Sequence, residues 1–461
     1  MLSTRAARSV ARSLKGQVRF YAVPKPSEDI IPHANVPKFE KEPQKVTKLE
    51  NGLTVASIEN ASPISKVGIA VKAGARYESA GYEGTTHFLR NALALSTAST
   101  HGVSVVREIQ KNGCNMRCAA NREYLFYQVE GTRDTIEAGI DIMTMVVTEP
   151  LYLKHEMKTV TGLVDFDLKT LQPEALLMED LHAAAFKGGL SNSIHCPSYN
   201  VDNIKSEMMH AYRLSLFKEP RMAFVGIGVD ANFMLEKAKQ IPASLNLLGT
   251  AVENTSKYVG GESRHPTGGD LTYASLVTEG PGLTSKDAAS AAVLQYVMGV
   301  GPSVKYSPGL VSRLGKAVHS AMGNDNFAIS AVNLPYSDTG LFGFSVAGNA
   351  SDMETIMQAA AKEFAAVTKS GAISDQAVTS AKNQLKAAIH MDFESTASIA
   401  NHLAVESLMT DKPRELGDLL TTVDSVSAAD VANVAKKIIN GKPTMACRGN
   451  LSWTPRLVDL M

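Results

Sequence analysis

Lys72-Ala73-Gly74-Ala75-Arg76-Tyr77-Glu78 runs into Gly84-Thr85-Thr86-His87-Phe88-Leu89-Arg90-Asn91, and the change from an extended to a helical pattern between them orders the rest of the chain. Just upstream, Lys66 to Ala73 reads as a strand. Before it, Val46-Thr47-Lys48-Leu49 and Leu53 to Ile58 flank Asn51-Gly52, a dipeptide whose tolerance of positive φ suits a tight hairpin turn. Downstream, apolar periodicity predicts a helix from about Thr86 to Leu95. On such a helix His87 and Asn91 lie four residues apart on one face, with Arg90 beside them.

Reading outward, a helix is expected over Ser104 to Asn112, with Gly113 placed where a C-terminal cap wants a left-handed residue. Strands follow near Asn115 to Ala119 and Glu123 to Glu130, then a helix from Arg133 to Val147 closed by Pro150. Two further helices straddle Pro173, the second carrying Leu181 to Phe186, and a strand at Ala223 to Ile227 ends this half. From Pro242 to Pro266 the chain loses periodicity and gathers Gly, Ser, Thr and Asn, as an inter-domain linker does. The order then repeats: a strand at Leu271 to Val277, helices at Asp287 to Met298 and Leu310 to His319, and strands at Ala328 to Asn333 and Leu341 to Ala347. Helices at Asp352 to Thr368, Asp375 to Met391, Ile399 to Met409 and Ala428 to Ile439 precede a closing strand at Thr444 to Arg448. The expected class is α+β: two tandem domains, 45–241 and 267–461, joined by a linker at 242–266, each a mainly antiparallel sheet covered by helices.

The first 27 residues contain no acid, while Arg5, Arg8, Arg12, Lys15 and Arg19 form one helical stripe opposite Leu2, Ala6, Val10, Leu14 and Val18. That is the pattern of a mitochondrial presequence, expected over 1–21 with cleavage between Tyr21 and Ala22, followed by an extended arm over 22–44. Without 1–21 the chain keeps 46 − 5 = 41 basic against 46 acidic residues, a net −5, which argues against nucleic-acid binding. Cys114, Cys118, Cys196 and Cys447 show neither a disulfide framework nor a metal-knuckle spacing. No apolar run approaches the roughly 18 residues of a membrane span; the best candidate is the short stretch from Met222 to Val229. Gly226-Ile227-Gly228-Val229-Asp230-Ala231 superficially fits a dinucleotide fingerprint. It closes a half, however, and no strand ending in an acid follows at the required distance, so it reads as a tight strand exit.

The segment His87-Phe88-Leu89-Arg90-Asn91 resembles the inverted zinc motif H-x-x-E-H of the pitrilysin-like metalloproteases. In active members two His at i and i+4 bind zinc, the intervening Glu is general base and a distal Glu completes the ligands. By that resemblance Asn91 stands at the second His and Arg90 at the base. An amide is a poor zinc ligand, and a guanidinium cannot accept a proton, which removes a contribution of roughly 100- to 10,000-fold. At about 5 Å and an effective dielectric near 20, the Arg90 charge also opposes a divalent ion by roughly 7 kcal/mol. The resemblance puts the distal ligand between Val164 and Lys169; Asp165 and Asp167 there read as solvated carboxylates. His87, His182 and His195 read as packed or surface residues without metal partners, and no catalytic, metal or cofactor site is expected.

Within the family, Gly84 to His87, Leu181 to Phe186, Tyr336 to Gly343 and Ala381 to Ala387 look most like the branch that serves as core subunits of mitochondrial ubiquinol–cytochrome c reductase, respiratory complex III. That resemblance implies a scaffold peripheral to the inner membrane on its matrix side. It would pair with core protein 1 beneath cytochrome b in a dimeric complex, and hold no cofactor itself. The runner-up branch, the non-catalytic subunit of the processing peptidase, carries a flexible glycine-rich loop. Here that place reads Gly299 to Gly309, with three glycines and two prolines, a stiffer turn. A working zinc presequence protease is the remaining alternative.

Overall fold

The computed structural model describes residues 44–241, 254–301, 312–323, 326–369, 371–410 and 413–460. The presequence, its Tyr21-Ala22 junction, nearly all of the arm, the first part of the linker and most of the turn after Gly299 lie outside the described residues. At the hairpin, β1 (Lys45–Lys48) and β2 (Thr54–Ile58) pair antiparallel around Gly52, which sits at φ +89° as the turn demands. The next strands are β3 (Ile64–Val71), β4 (Asn115–Ala120), β5 (Leu125–Thr132) and β7 (Met222–Ile227). They complete a six-stranded sheet in the order β1-β2-β7-β3-β5-β4, in which only β2 and β7 run parallel.

The second half repeats this plan for five of the six strands, with no counterpart of β1. Its sheet, β11-β12-β10-β13-β9, is built from β9 (Glu262–Pro266), β10 (Leu271–Pro281), β11 (Phe327–Pro335), β12 (Thr339–Asn349) and β13 (Thr444–Gly449), and its one parallel pair, β13 with β9, matches β7 with β2. The duplication expected from the order of elements is thus carried into the hydrogen-bonding pattern. The linker is shorter than expected: its last ten residues include β8 (Lys257–Tyr258), which pairs with β6 (Phe186–Lys187), and β9, a polar edge strand.

In the first half the helices are α1 (Thr85–Asn91), α2 (Gly102–Lys111), α3 (Ile136–Thr148), α4 (Lys154–Lys169), α5 (Pro173–Ala185), α6 (Ser206–Leu216) and α7 (Ala231–Gln240). The second half has α8 (Ala288–Met298), α9 (Arg313–Met322), α10 (Met353–Ala366), α11 (Asp375–Asp392), α12 (Thr396–Met409), α13 (Leu416–Ser425) and α14 (Ala428–Ile439). Sequence periodicity gave no sign of α6 or α13. Each sheet buries one face under helices of its own half. The other face is covered by a single helix from the opposite half. Ala400, Leu403 and Ala404 of α12 lie on Ala56, Ala70, Phe126, Ala223 and Val225 of the first sheet. Leu177, Leu181 and Ala185 of α5 lie on Val277, Leu341 and Ala446 of the second.

Candidate functional site

The motif helix α1 is positioned from its N-terminus. Gly84, at φ +94°, is its N-cap, and a Cβ there would stand 2.4 Å from Cys196 Sγ, so only glycine admits the cysteine. The buried Glu78 carboxylate accepts from the Gly84 and Thr86 backbone N–H groups and from the Thr86 hydroxyl at 2.7–2.8 Å, occupying donors that a helix start leaves free. Burial pushes Glu78 up to about 7 even against those hydrogen bonds.

From α1, His87, Arg90 and Asn91 face α4. The solvated reading of Asp167 is overturned, because its Oδ2 lies 3.1 Å from His87 Nε2, 2.5 Å from Arg90 Nη2 and 3.1 Å from Asn91 Nδ2. Asp165, two residues earlier, does point to solvent and pairs with Lys169 at 2.6 Å. The His87 side chain has no exposed surface. Its Nδ1 accepts the Cys196 backbone N–H at 3.1 Å, which places the ring proton on Nε2 and directs it at Asp167. The 2.9 Å between Arg90 Nη2 and His87 Nε2 is therefore the approach of two donors sharing one acceptor. Burial first, then the Arg90 charge, lower His87 to about 4 against the Asp167 hydrogen bond, so it is neutral near pH 7. Burial raises Asp167, but hydrogen bonds from His87, Asn91 and Arg90 outweigh it and hold the carboxyl below its ordinary value.

A zinc ion does not fit this arrangement. Metal ligands present lone pairs to a central cation, whereas His87, Arg90 and Asn91 present hydrogens to a central oxygen. No group of three or more His, Cys, Asp or Glu suited to a metal occurs among the described residues. No carboxylate stands where α1 would need a base, so the family's route of water activation has no proton acceptor.

The other sequence candidates fall around this site. His195 meets the His87 ring edge-on at 5.5 Å, with a buried Nδ1 that has no hydrogen-bond partner. His182, buried on α5, donates Nδ1–H to the Met178 carbonyl and accepts the Tyr336 hydroxyl at Nε2, both at 2.6 Å, which ties the first half to the second. Burial drives it down to about 3. Gly226 and Gly228 make a strand exit: Gly228 has φ +70°, and Asp230 caps α7 through the N–H groups of Asn232 and Phe233.

Residues that sequence reasoning missed tie the two halves together near this site. Buried Arg76 pairs with Glu123 at 2.8 Å and with Asp338 at 2.5 Å, while Glu123 also accepts the Ser337 N–H and hydroxyl. Arg448 of β13 reaches back to Asp180 of α5 at 2.6 Å. The only sequence signal was indirect, since Asp338 lies in Tyr336 to Gly343, one of the stretches that carried the family resemblance. A mostly apolar cavity of about 430 Å³ lies between the halves, with Arg122, Glu123, Tyr124, Glu179, His182, Tyr336 and Val405 on its walls.

Fold and site together define a duplicated metallopeptidase scaffold whose zinc position has been converted to a hydrogen-bonded ion pair. The chain belongs to the insulinase family, peptidase family M16: the family model matches residues 54–198, and that of the M16 inactive domain matches 203–385. It is 35% identical over 91% of its length to the mitochondrial cytochrome b-c1 complex subunit 2 of Rattus norvegicus, covering 93% of that protein. It is 33% identical over 96% of its length to the human counterpart, covering 98% of it. To the mitochondrial-processing peptidase subunit alpha of Solanum tuberosum it is 28% identical over 90% of its length, covering 84% of that chain.

Proposed function

We propose that this chain is a non-catalytic core subunit of the mitochondrial ubiquinol–cytochrome c reductase complex, a scaffold for the assembly and stability of the machine that passes electrons from ubiquinol to cytochrome c. What carries the reading is similarity along nearly the whole chain to cytochrome b-c1 complex subunit 2 at 33–35% identity, against 27–28% for processing-peptidase alpha subunits. The site supports it, because a scaffold has no need of the carboxylate base and second imidazole that Arg90 and Asn91 replace. In this reading residues 1–21 are a presequence cut between Tyr21 and Ala22, and 22–44 form an arm. The partners are core protein 1 and cytochrome b in a dimeric complex, and the location is the matrix side of the inner membrane. Attachment to the membrane runs through those partners, since among the described residues no helix is long and apolar enough to cross it.

Native electrophoresis of gently solubilised mitochondria tests the assignment. The chain is expected to migrate with cytochrome b; migration with a soluble matrix peptidase would transfer the reading to the alpha subunit of the processing enzyme. Against the remaining alternative, an active protease, the purified chain is expected to hold no stoichiometric zinc and to cleave no peptide in a chelator-sensitive way.

A further inference from the structure

Three N–H groups from one turn of α1 converge on a single oxygen of α4, and the mismatch with a metal site has a positive meaning. We infer that the former metal position is a carboxylate-binding site, formed by His87 Nε2–H, Arg90 Nη2–H and Asn91 Nδ2–H and filled by the chain's own Asp167. The distances of 3.1, 2.5 and 3.1 Å to Oδ2 are hydrogen-bond lengths, and the shortest belongs to the ionic pair, as expected of charge-assisted bonds.

The surroundings hold the donors in this sense. The Cys196 N–H occupies His87 Nδ1, so the ring cannot present a lone pair from Nε2 without losing that bond. Asn91 has its amide nitrogen over the His87 carbonyl at 3.2 Å, which orients the NH₂ toward α4. The other charges nearby are spoken for: Arg122 pairs with Glu179 at 2.8 Å, and burial pushes the Cys118 thiol beside Arg90 up to about 12, leaving it uncharged. Burial holds His195 below its ordinary value. Among the described residues the ion pair of Arg90 is with Asp167, whose side chain is 32% exposed. Solvent, and hence a small anion, reaches the position once the aspartate is trimmed.

The test is chemical rescue in the purified full-length chain. Asp167→Ala is expected to lower Tm by at least about 2 °C. Formate, compared with sodium chloride at equal ionic strength, is expected to restore Tm saturably, as binding to the folded form requires. The wild type, with its site filled, shows no saturable rise, and Arg90→Ala combined with Asp167→Ala abolishes the response. A formate effect on Asp167→Ala no larger than on wild type overturns the inference. Should that variant fail to fold, nitrogen-15 histidine spectra of the wild type decide: His87 is expected as the neutral Nε2–H tautomer, unmoved by zinc, and an Nδ1–H tautomer or a zinc-dependent shift overturns it.

Discussion

His87 and His182 are buried as neutral rings, so their cost appears when the unfolded chain takes up protons that the folded chain refuses. Their folded values, about 4 and about 3, lie below the ordinary 6.5. Between those limits the unfolded state binds more protons, and stability therefore rises with pH. As pH falls from 6.5 to 4, His87 alone is expected to cost up to about 3 kcal/mol, and His182 up to about 5 kcal/mol over a window reaching one unit lower. Urea unfolding at a series of pH values checks this; replacing His182 by Gln should flatten the slope, and an unchanged slope would remove that ring from the account. The loss of a second imidazole and a base was legible because His87, Arg90 and Asn91 are one helical turn apart, and local spacing alone puts them together. Asp167 was not, since its partners lie 76 to 80 residues away in the chain. Two carboxylates two positions apart on a helix point to opposite sides. Which of Asp165 and Asp167 faces inward depends on where α1 lies, and no local pattern states that.

Helix α5 shows the same limit one level up. Its segment from Leu181 to Phe186 was readable as part of a helix, and its place in the chain assigned it to the first half, yet it covers the second sheet. Periodicity says that a face is buried and is silent on what buries it. Strand β9 was hidden for the opposite reason: as an edge strand of Glu, Ser, Arg, His and Pro it has the composition of a loop, because polar residues are what protect an exposed edge. The exchange predicts effects at a distance along the chain. Leu181 is fully buried against the second sheet, so Leu181→Ala is expected to cost about 2–5 kcal/mol. The loosening should appear as faster amide exchange in β10 and β13, more than 90 residues later, before it appears in β3 of its own half. Faster exchange confined to the first sheet would contradict the packing described here.

The duplication invites a picture of two self-sufficient domains on a string, and the energetics of the interface oppose it. Separating the halves would expose the outer face of the first sheet, with Ala56, Ala70, Phe126, Ala223, Val225 and Ile227, and would strip α12 of the surface it packs on. On the other side α5 would lose Val277, Leu341 and Ala446. Apolar patches of that kind drive association or aggregation when left open. The electrostatics add to this, because Arg76, with a side chain only 7% exposed, would lose Asp338, and Glu123 would lose the Ser337 donors that help offset its burial. Each half is therefore expected to fail as an independent folding unit. A chain divided between Ile241 and Asn254 should yield soluble, cooperatively unfolding protein only when both pieces are produced together, recovered as a one-to-one complex through a tag on either piece. A first-half fragment that is monomeric and unfolds in a sharp transition on its own would show that the exchanged helices are dispensable, and the tandem halves would then be separate domains after all.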